Sequence, residues 1–515
     1  MFSSSLPLQA AATTTSAAKA ATQKNATADA VDRFSSASFP DTVWRDDFLD
    51  KVGLSLQTEQ GHREHEVLKE DVRNLVLNET KSSGDDEAIV ADKLRLIDAV
   101  QRLGVGYHFE AEIEEALGKV HDMGEDLFTN FDGRGTDLYH AALRFRLLRQ
   151  QGFPVSLDGF RKLKNSEGRF KEWLSRDEQG LLSLIKSSSH LQSWTSTCSK
   201  ASISRSSVNS LNGGKALTGA TNFPYARDRL VECYFWIICI YFEPKYRVAR
   251  VLNAKIYIVL TTLNDTCDNF GTYEEVQALV KAIQRLDARA LDELPERMKN
   301  MYRLTLNVYD EIEEEAGKTG STFIVEYAKE EYKKIARAYL KKIGWCTEGQ
   351  VPTVEEYLIE SGYVTGGMPI VCGSAFVGMR ADIVTREAFE WANNESKMFR
   401  SGSAICRIQN DIFTYKFEQK RDHAPSSVEC CMKQYGISDK EAVEFLLNEL
   451  SNAWKNIGRE YCQKPTLLPT VFKDRIINYA RSMNLFYDNR NGDRYTNSHL
   501  LKEHLTALFV DPVPL

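Results

Sequence analysis

The sequence predicts an all-α protein made of two helical domains, and three observations support this prediction. Apolar residues recur at three- and four-residue spacing through segments 93–103, 109–120 and 138–150. Only 13 prolines occur in 515 residues, so long helices are permitted. A stretch at 187–219 that is rich in Ser, Thr and Gly interrupts this pattern, and helical periodicity returns from about 225 to 508. The interruption therefore separates two groups of helices.

The chain is expected to have four parts in order. These are a disordered leader at 1–35, an N-terminal helical domain at 36–186, an irregular junction at 187–222 and a C-terminal domain at 223–515. The leader is rich in Ala, Ser and Thr, which is typical of a transit peptide, but it has no Arg before Arg33. We therefore expect a cytoplasmic protein, with import into plastids as the alternative.

The overall composition argues against several classes of function. Hydrophobic residues make up 43% and charged residues 27%, as in an ordinary globular protein. The net charge of −7 argues against a nucleic-acid partner, because nucleic acids favour basic surfaces. No apolar run approaches the roughly 20 residues of a membrane span, and the most apolar stretch, Tyr234–Phe242, is predicted to be a core helix. Ten cysteines lack metal-ligand spacing, so we expect buried thiols in a reducing compartment. We also expect the chain to be a monomer.

The first motif with chemical potential is the stretch NDTCD at 264–268. On a helix, Asn264 and Asp268 share one face and Asp265 lies on its flank. Clustered oxygen ligands without histidine suit a hard cation such as Mg²⁺. The alternative interpretation is a polar helix end that runs into a loop.

The second motif lies in the stretch CRIQNDIFTYKFE at 406–418. Asn410, Thr414 and Glu418 are spaced i, i+4 and i+8, so their oxygens form one stripe along a helix. Arg407 lies nearly on the same face, where it would place a positive charge beside the oxygens. A solvated helix face is the alternative, although the apolar residues between these positions disfavour it.

The third motif is the stretch ARDRLVECYFW at 226–236. Arg227 and Arg229 carry guanidinium groups suited to bidentate contacts with phosphate. Trp236 lies two helical turns beyond Arg229, and its ring could stabilise a cation. For an isolated arginine pair or a lone tryptophan, surface exposure or core packing is the more common role.

Together these motifs resemble those of the plant class I terpene synthases, most closely the sesquiterpene cyclases of flowering plants. Arg227 precedes Asn264 by 37 residues and Asn264 precedes Asn410 by 146 residues, separations similar to those in that family. The stretches RFSSASFPDTVWRDDFL from Arg33 and LYHAALRFRLLRQQGFPVS from Leu138 also resemble the family's N-terminal region. The resemblance thus covers most of the chain.

The resemblance implies a reaction and a set of roles. It implies that Mg²⁺, as three ions and with Mn²⁺ as an alternative, assists ionisation of farnesyl diphosphate and cyclisation of the carbocation. The implied metal ligands are Asn264, Asp265, Asp268, Asn410, Asp411, Thr414 and Glu418. The implied groups around the substrate are Arg227, Arg229, Arg407, Trp236, Tyr487, Asp493 and Tyr495, with Asn264, Asp268 and Asn410 also contacting the diphosphate through the metal sites.

The chain also departs from the family's pattern. The usual DDxxD reads NDTCD here, and the amide of Asn264 cannot bridge two metals as a carboxylate does, so we expect altered metal binding with some activity retained. Arg33 stands alone where the family has two arginines, and the 187–219 segment replaces expected helices. Two alternatives follow: a monoterpene synthase that uses geranyl diphosphate, or a catalytically impaired helical homologue. At Gly366 and Gly367 we expect either a helix break that exposes carbonyls to the cation or a plain turn.

Overall fold

The computed structural model of the chain describes residues 40, 42–44, 59–77, 86–123, 138–156, parts of 161–177, 222–319, 322–374, 390, 396–420, 423–461, 470–488 and 492–509. Regular structure in these residues is nearly all helical, which confirms the all-α prediction. The exception is a small hairpin of two strands, β1 (Tyr487–Asp488) and β2 (Gly492–Asp493), in which Tyr487 pairs with Asp493. The predicted leader lies outside the described residues, as does the predicted junction apart from Asn222.

The N-terminal part of the described chain has a hydrophobic core of its own. Its helices are α1 (Glu59–Leu77), α2 (Asp86–Arg102), α3 (Glu110–Asp122) and α4 (Leu138–Gln150). These helices cover all but one end residue of segments 93–103 and 109–120 and the whole of segment 138–150, whose periodicity predicted helix. Their buried apolar stripes meet in one cluster that includes Leu94, Ile97, Ile113, Leu117 and Leu147. Acidic residues in the first turn of α3 and basic residues in its last turn complement the helix dipole.

The C-terminal part is a larger bundle of helices. In chain order they are α5 (Leu230–Ile240), α6 (Arg247–Asp265), α7 (Tyr273–Arg285), α8 (Glu296–Thr319), α9 (Thr322–Thr347), α10 (Val354–Tyr357), α11 (Tyr363–Thr365), α12 (Met368–Ser374), α13 (Lys397–Glu418), α14 (Ser427–Tyr435), α15 (Asp439–Tyr461), α16 (Thr470–Phe486) and α17 (Lys502–Phe509). Short 3₁₀ turns at 244–246, 288–293 and 498–501 connect some of them. No helix among the described residues has both the length and the apolar character needed to cross a membrane.

Helix α5 lies at the centre of the C-terminal core. All eleven of its residues are buried, as its unbroken apolar sequence predicts. It packs against α6 on one side and α16 on another, while α13 packs against α16 and α15. The helices α6, α9, α13 and α16 thereby come close enough to surround a common space.

Two interruptions of helical geometry shape that space. The end of α6 continues as a π-helical turn over Thr266–Phe270, closed by the hydrogen bond from Gly271 N to Thr266 O at 2.8 Å. A Cβ atom at Gly271 would lie 2.6 Å from the Val276 side chain, so the turn requires glycine. The second interruption separates α11 from α12, where Gly367 adopts a φ of +74° that glycine tolerates best.

Capping interactions fix where α14 begins. The Ser426 hydroxyl accepts a hydrogen bond from Glu429 N, and the Glu429 carboxylate accepts one from Ser426 N. His423 Nε2 lies 2.8 Å from the same carboxylate. Burial acts to raise the pKa of Glu429, but the hydrogen bonds to His423 and Ser426 outweigh burial and lower it to about 2. The ionised Glu429 therefore stabilises the start of α14.

Candidate active site

The C-terminal helices surround a cavity that opens to solvent. The space between its walls, counted together with the open solvent at its mouth, is about 1020 Å³. The sequence-predicted site residues lining it are Arg227, Trp236, Asn264, Asp265, Asp268, Arg407, Asn410, Thr414, Glu418, Tyr487, Asp493 and Tyr495. Arg229 and Asp411 are not among the lining residues. The three sequence motifs thus converge, with two exceptions.

The α6 wall of the cavity carries the first motif. Asn264 and Asp268 are half-buried at the end of α6 and in the π-helical turn that follows. Asp265 is only 1% exposed, and both of its carboxylate oxygens accept hydrogen bonds from Arg227. Asp265 therefore holds an arginine, an arrangement that differs from the metal-ligand role expected for it.

Arg227 is fixed on several sides at once. Its Nη2 lies 2.7 Å from Asp265 Oδ1, and its Nη1 donates to the Thr496 hydroxyl at 3.2 Å. The guanidinium also lies over the Tyr495 ring, 5.3 Å from the centroid. Burial alone would lower the pKa of Arg227, but the neighbouring Asp265 carboxylate raises it well above its usual value. The cavity therefore contains a permanent positive charge in a fixed orientation.

The α13 wall carries the second motif as the i, i+4, i+8 spacing predicts. Asn410 and Glu418 are half-buried and Thr414 is 7% exposed, and all three line the cavity. Within the described part of the chain, the buried Thr414 Oγ1 makes no hydrogen bond. A buried hydroxyl oxygen in that state fits a site completed by a ligand. Asn410 Nδ2 donates to the Tyr487 hydroxyl at 2.8 Å, which leaves the amide oxygen for another partner.

Asp411 is not among the residues that line the cavity, an arrangement that differs from the metal-ligand role expected for it. One carboxylate oxygen accepts hydrogen bonds from Ser427 N at 2.9 Å and from the Tyr357 hydroxyl at 3.0 Å. The other oxygen lies 3.0 Å from Arg407 Nε, an ion pair without hydrogen-bond geometry. Position i+1 from Asn410 points about 100° away from it on a helix, so the side chain turns towards α14. Its role is to hold Arg407.

Arg407 keeps its charge inside the protein because of that neighbour. Burial acts to lower its pKa, but Asp411 raises it above the usual value. Its Nη1 lies 3.5 Å from the Thr365 hydroxyl, at the edge of the cavity. Arg407 and Arg227 are thus the two guanidinium groups presented to the cavity by the described residues.

Arg229 has a different position from the one expected. It is 2% exposed and donates hydrogen bonds to the backbone carbonyl oxygens of Tyr495, Thr496 and Pro40 at 2.8–3.1 Å. Its guanidinium group is engaged with backbone carbonyl oxygens, and the expectation that it holds a diphosphate stays a prediction. The arginine instead anchors the segment after β2 and a residue near the N-terminus.

The interior of the cavity is aromatic. Trp236 is 3% exposed, stacks on Phe486 with centroids 3.8 Å apart and donates from Nε1 to the Ser482 hydroxyl at 2.8 Å. The rings of Tyr257 and Tyr495 lie 5.2 and 5.5 Å from it. These buried rings contrast with the half-buried Asn264, Asp268, Asn410 and Glu418. The polar groups therefore lie nearer to solvent than the aromatic ones.

The C-terminal hairpin closes one side of the cavity. Tyr487, Asp493 and Tyr495 all line it, as the resemblance implied for this stretch. Asp493 Oδ1 accepts a hydrogen bond from Thr496 N at 2.9 Å, which shapes the turn after β2. Burial raises the pKa of Tyr487 and of Tyr495, so both hydroxyls stay protonated.

The helix is interrupted at the two glycines, and exposure of their carbonyls to a cation stays a prediction. Gly366 and Gly367 line the cavity between α11 and α12. The Gly366 carbonyl accepts a hydrogen bond from the Tyr479 hydroxyl at 2.9 Å. The break thus brings a backbone carbonyl and a tyrosine hydroxyl to the cavity as a bonded pair.

The oxygen donors of the α13 wall fit a hard divalent cation. An amide oxygen, an unbonded hydroxyl and the Glu418 carboxylate are ligand types that Mg²⁺ accepts. Among the described residues, no three or more His, Cys, Asp or Glu side chains converge as a self-contained metal site. Mg²⁺ commonly completes its coordination with substrate phosphate oxygens in sites of this kind.

Comparison with known proteins identifies the family. The terpene synthase N-terminal domain matches residues 43–195, and the metal binding domain of the terpene synthase family matches residues 215–456. A (−)-germacrene D synthase from Vitis vinifera is 36% identical, with 93% of this chain and 96% of the relative covered. The chain belongs to the terpene synthase family. A hedycaryol synthase from Camellia brevistyla is 35% identical, with 93% and 96% covered. The protein is therefore an enzyme, a lyase of the terpene synthase family that acts on prenyl diphosphates.

Solved structures agree with the terpene synthase fold. A limonene synthase in complex with 2-fluorolinalyl diphosphate matches with a TM-score of 0.78 at 24% identity, covering 94% of this chain and all of that one. The isoprene synthase of grey poplar leaves, in complex with three Mg²⁺ ions and dimethylallyl-S-thiolodiphosphate, matches with a TM-score of 0.75 at 24% identity. It covers 88% of this chain and 97% of that chain. At this identity the likeness establishes the fold.

Sequence reasoning missed one charged residue of this terpene synthase cavity. Lys342 on α9 is 7% exposed and lines the cavity, with Nζ 3.4 Å from Asp268 Oδ2. A signal was present in the sequence. The buried face of α9 runs through Ala328, Tyr332, Ile335 and Tyr339 at helical spacing, and Lys342 occupies the next position of that apolar stripe. A lysine at such a position is rarely buried unless it is paired.

Proposed function

We propose that this terpene synthase is a Mg²⁺-dependent sesquiterpene synthase. In this proposal it ionises farnesyl diphosphate, releases diphosphate and closes the carbocation into a cyclic hydrocarbon or alcohol. The observation that carries the proposal is the division of one cavity into two regions. Arg227 and the half-buried oxygen groups lie towards solvent, with the buried Arg407 beside them, and stacked aromatic rings lie inside. This division suits a substrate with a charged head and an apolar tail.

The polar region would hold the diphosphate. Arg227 and Arg407 are charged and fixed in orientation, so they can stabilise negative charge on the leaving group without rearrangement. Asn410, Thr414 and Glu418 would hold Mg²⁺ on the α13 wall, with Asn264 and Asp268 as the oxygens on the α6 wall. Bound Mg²⁺ would neutralise the charge that develops on the departing diphosphate. Asp265 and Asp411 act by positioning the two arginines.

The aromatic region would protect and guide the cation. Trp236, Tyr257 and Tyr487 present ring faces or edges to the cavity, and their π-electrons attract a positive charge. Burial of the rings also excludes water from that region. The Tyr479 hydroxyl donates its hydrogen to the Gly366 carbonyl, which fixes the orientation of that hydroxyl at the cavity wall. Cyclisation before quenching is the expected consequence.

A C15 substrate is supported by the relatives. The germacrene D and hedycaryol synthases, whose products are sesquiterpenes, share about one third of their residues with this chain over nearly its full length. The convergence of the predicted motifs in one cavity also disfavours the interpretation of a catalytically impaired homologue. A cytoplasmic location and a monomeric state remain predictions.

The test is an incubation of the purified full chain with farnesyl or geranyl diphosphate, with Mg²⁺ or with EDTA, followed by gas chromatography and mass spectrometry. Cyclic C15 products that form only with Mg²⁺ are expected. Predominant C10 products would instead favour the monoterpene alternative. Soluble, folded protein that consumes neither substrate would contradict the proposal.

A variant pair tests the metal site itself. Thr414→Val removes the unbonded hydroxyl and keeps the side-chain volume, so the Mg²⁺ concentration needed for half-maximal rate should rise about tenfold. Thr305→Val is the matched control, because Thr305 is fully buried on α8 and does not line the cavity. Equal Mg²⁺ dependence in both variants would contradict a ligand role for Thr414.

Asn264→Asp should lower the Mg²⁺ concentration needed for half-maximal rate. No change in that concentration would contradict the expected effect of the Asn264 amide.

A further inference from the structure

The charges on the α6 side of the cavity already balance within the protein. Asp265 is paired with Arg227 at 2.7 Å, and Asp268 is paired with Lys342 at 3.4 Å. Asn264, the third oxygen residue of this wall, is neutral. Both carboxylates that line this wall are therefore paired with a cationic side chain. On the α13 wall, neither Arg227, Arg407 nor Lys342 forms an ion pair with Glu418 in the described part of the chain. A divalent cation gains less at the α6 wall than at the α13 wall.

Lys342 has the properties of a ligand-binding group. Its side chain is 9% exposed, and burying an ammonium group is costly unless the group is paired. An ammonium group has three N–H donors, and within the described residues Asp268 is the hydrogen-bond acceptor found for them. The separation of 3.4 Å is longer than the 2.7–2.9 Å of a strong charge-assisted hydrogen bond. Donors of Lys342 thus remain for oxygens of a bound anion.

We propose that Lys342 binds the diphosphate and takes the place of one divalent cation at the Asn264–Asp268 wall. The enzyme would then hold diphosphate with two divalent cations, one fewer than the resemblance implies, and with an ammonium group of its own on the α6 side. A divalent cation placed against Asp268 would be repelled by the ammonium charge beside it. The neutral Asn264 fits this arrangement, because two carboxylates are not needed where a lysine supplies the positive charge. The inference rests on the proposed diphosphate chemistry and specifies how the charge is neutralised.

Two variants on one helix test the charge. Lys342→Met removes the ammonium and keeps the length of the side chain, and Lys342→Arg keeps a positive charge. Lys341→Met is the matched control, since Lys341 is the exposed neighbour on α9. Isothermal titration with inorganic diphosphate in the presence of EDTA should show affinity about tenfold lower for Lys342→Met than for the wild type. The Lys342→Arg and Lys341→Met variants should retain most of the affinity. Equal affinity of Lys342→Met and wild type would overturn the proposal.

A count of bound ions in the wild type makes the test independent of any variant's folding. Electron paramagnetic resonance of Mn²⁺ with saturating inorganic diphosphate should show two bound ions per wild-type chain and a third in Lys342→Glu. Three ions in the wild type would overturn the role of Lys342, and the proposed function would stand if farnesyl diphosphate is still cyclised. A wild type that neither binds inorganic diphosphate nor forms product would overturn both proposals.

Discussion

Asp411→Asn separates a positioning role for Asp411 from a metal-ligand role. Asp411 is 2% exposed, and its charge balances Arg407, which is 9% exposed and 3.0 Å away. Removing one partner of a buried ion pair typically costs about 3–5 kcal/mol. Asn keeps the shape and an oxygen that can accept from Ser427 N and the Tyr357 hydroxyl, so the lower end, about 3 kcal/mol, is expected. At roughly 2–4 °C per kcal/mol for a domain of this class, Tm should fall by about 6–12 °C.

The assay compares thermal unfolding, followed by circular dichroism, with the Mg²⁺ dependence of product formation. Asp411→Asn should lower Tm and raise the KM for farnesyl diphosphate, because Arg407 loses its orientation. The Mg²⁺ concentration for half-maximal rate should stay near the wild-type value. Asp310→Asn, at an exposed position on α8, is the control. An unchanged Tm combined with a strongly increased Mg²⁺ requirement would refute the reasoning and make Asp411 a metal ligand.

Three further predictions concern the frame around the site. Gly366→Ala should lower the free energy of unfolding by about 1–3 kcal/mol and reduce product yield, because the added Cβ would lie 2.9 Å from a backbone carbonyl oxygen. Gly317→Ala is the control and should not destabilise the protein, because a Cβ there meets no atom within 4 Å; thermal unfolding of the two variants gives the comparison. Glu429→Gln should lower the free energy of unfolding by about 2 kcal/mol at pH 6, as measured by denaturant titration. The difference from wild type should shrink below pH 4.5, because the Glu429 carboxylate becomes protonated as the pH approaches its folded-state pKa of about 2. Trp44→Phe removes the 2.8 Å hydrogen bond to the buried Glu232 and should cost about 1–3 kcal/mol in the same titration; an unchanged value would contradict the role of that bond.

Residues on a single straight helix could be placed from the sequence. Asn410, Thr414 and Glu418 follow one stripe of α13, and a spacing of four residues is enough to predict that they line one surface. The all-α class followed in the same way from apolar periodicity, because the repeat of about 3.6 residues is local information. Predictions of this kind need no knowledge of neighbouring helices.

Contacts between distant parts of the chain could not be placed in this way. Asp411 lies next to the stripe in sequence, yet its acceptor role depends on the backbone of Ser427, which only the packing of α14 on α13 brings near. The roles of Arg229 and Lys342 likewise depend on the segment after β2 and on the π-helical turn after α6. Spacing within a motif carries no information about these partners, so the motif alone suggested ligands where the fold provides supports.

The contacts of Arg229 set a practical limit on how the chain can be shortened. The Arg229 guanidinium group donates hydrogen bonds both to the carbonyl oxygen of Pro40, 189 residues earlier in the chain, and to those of Tyr495 and Thr496 near the C-terminal end. Trp44 adds a second attachment of the same N-terminal segment through Glu232. Recombinant versions that begin after Trp44 would remove the Trp44 hydrogen bond from the buried Glu232 and one acceptor from the buried Arg229. Useful truncations of this terpene synthase should therefore start upstream of Pro40.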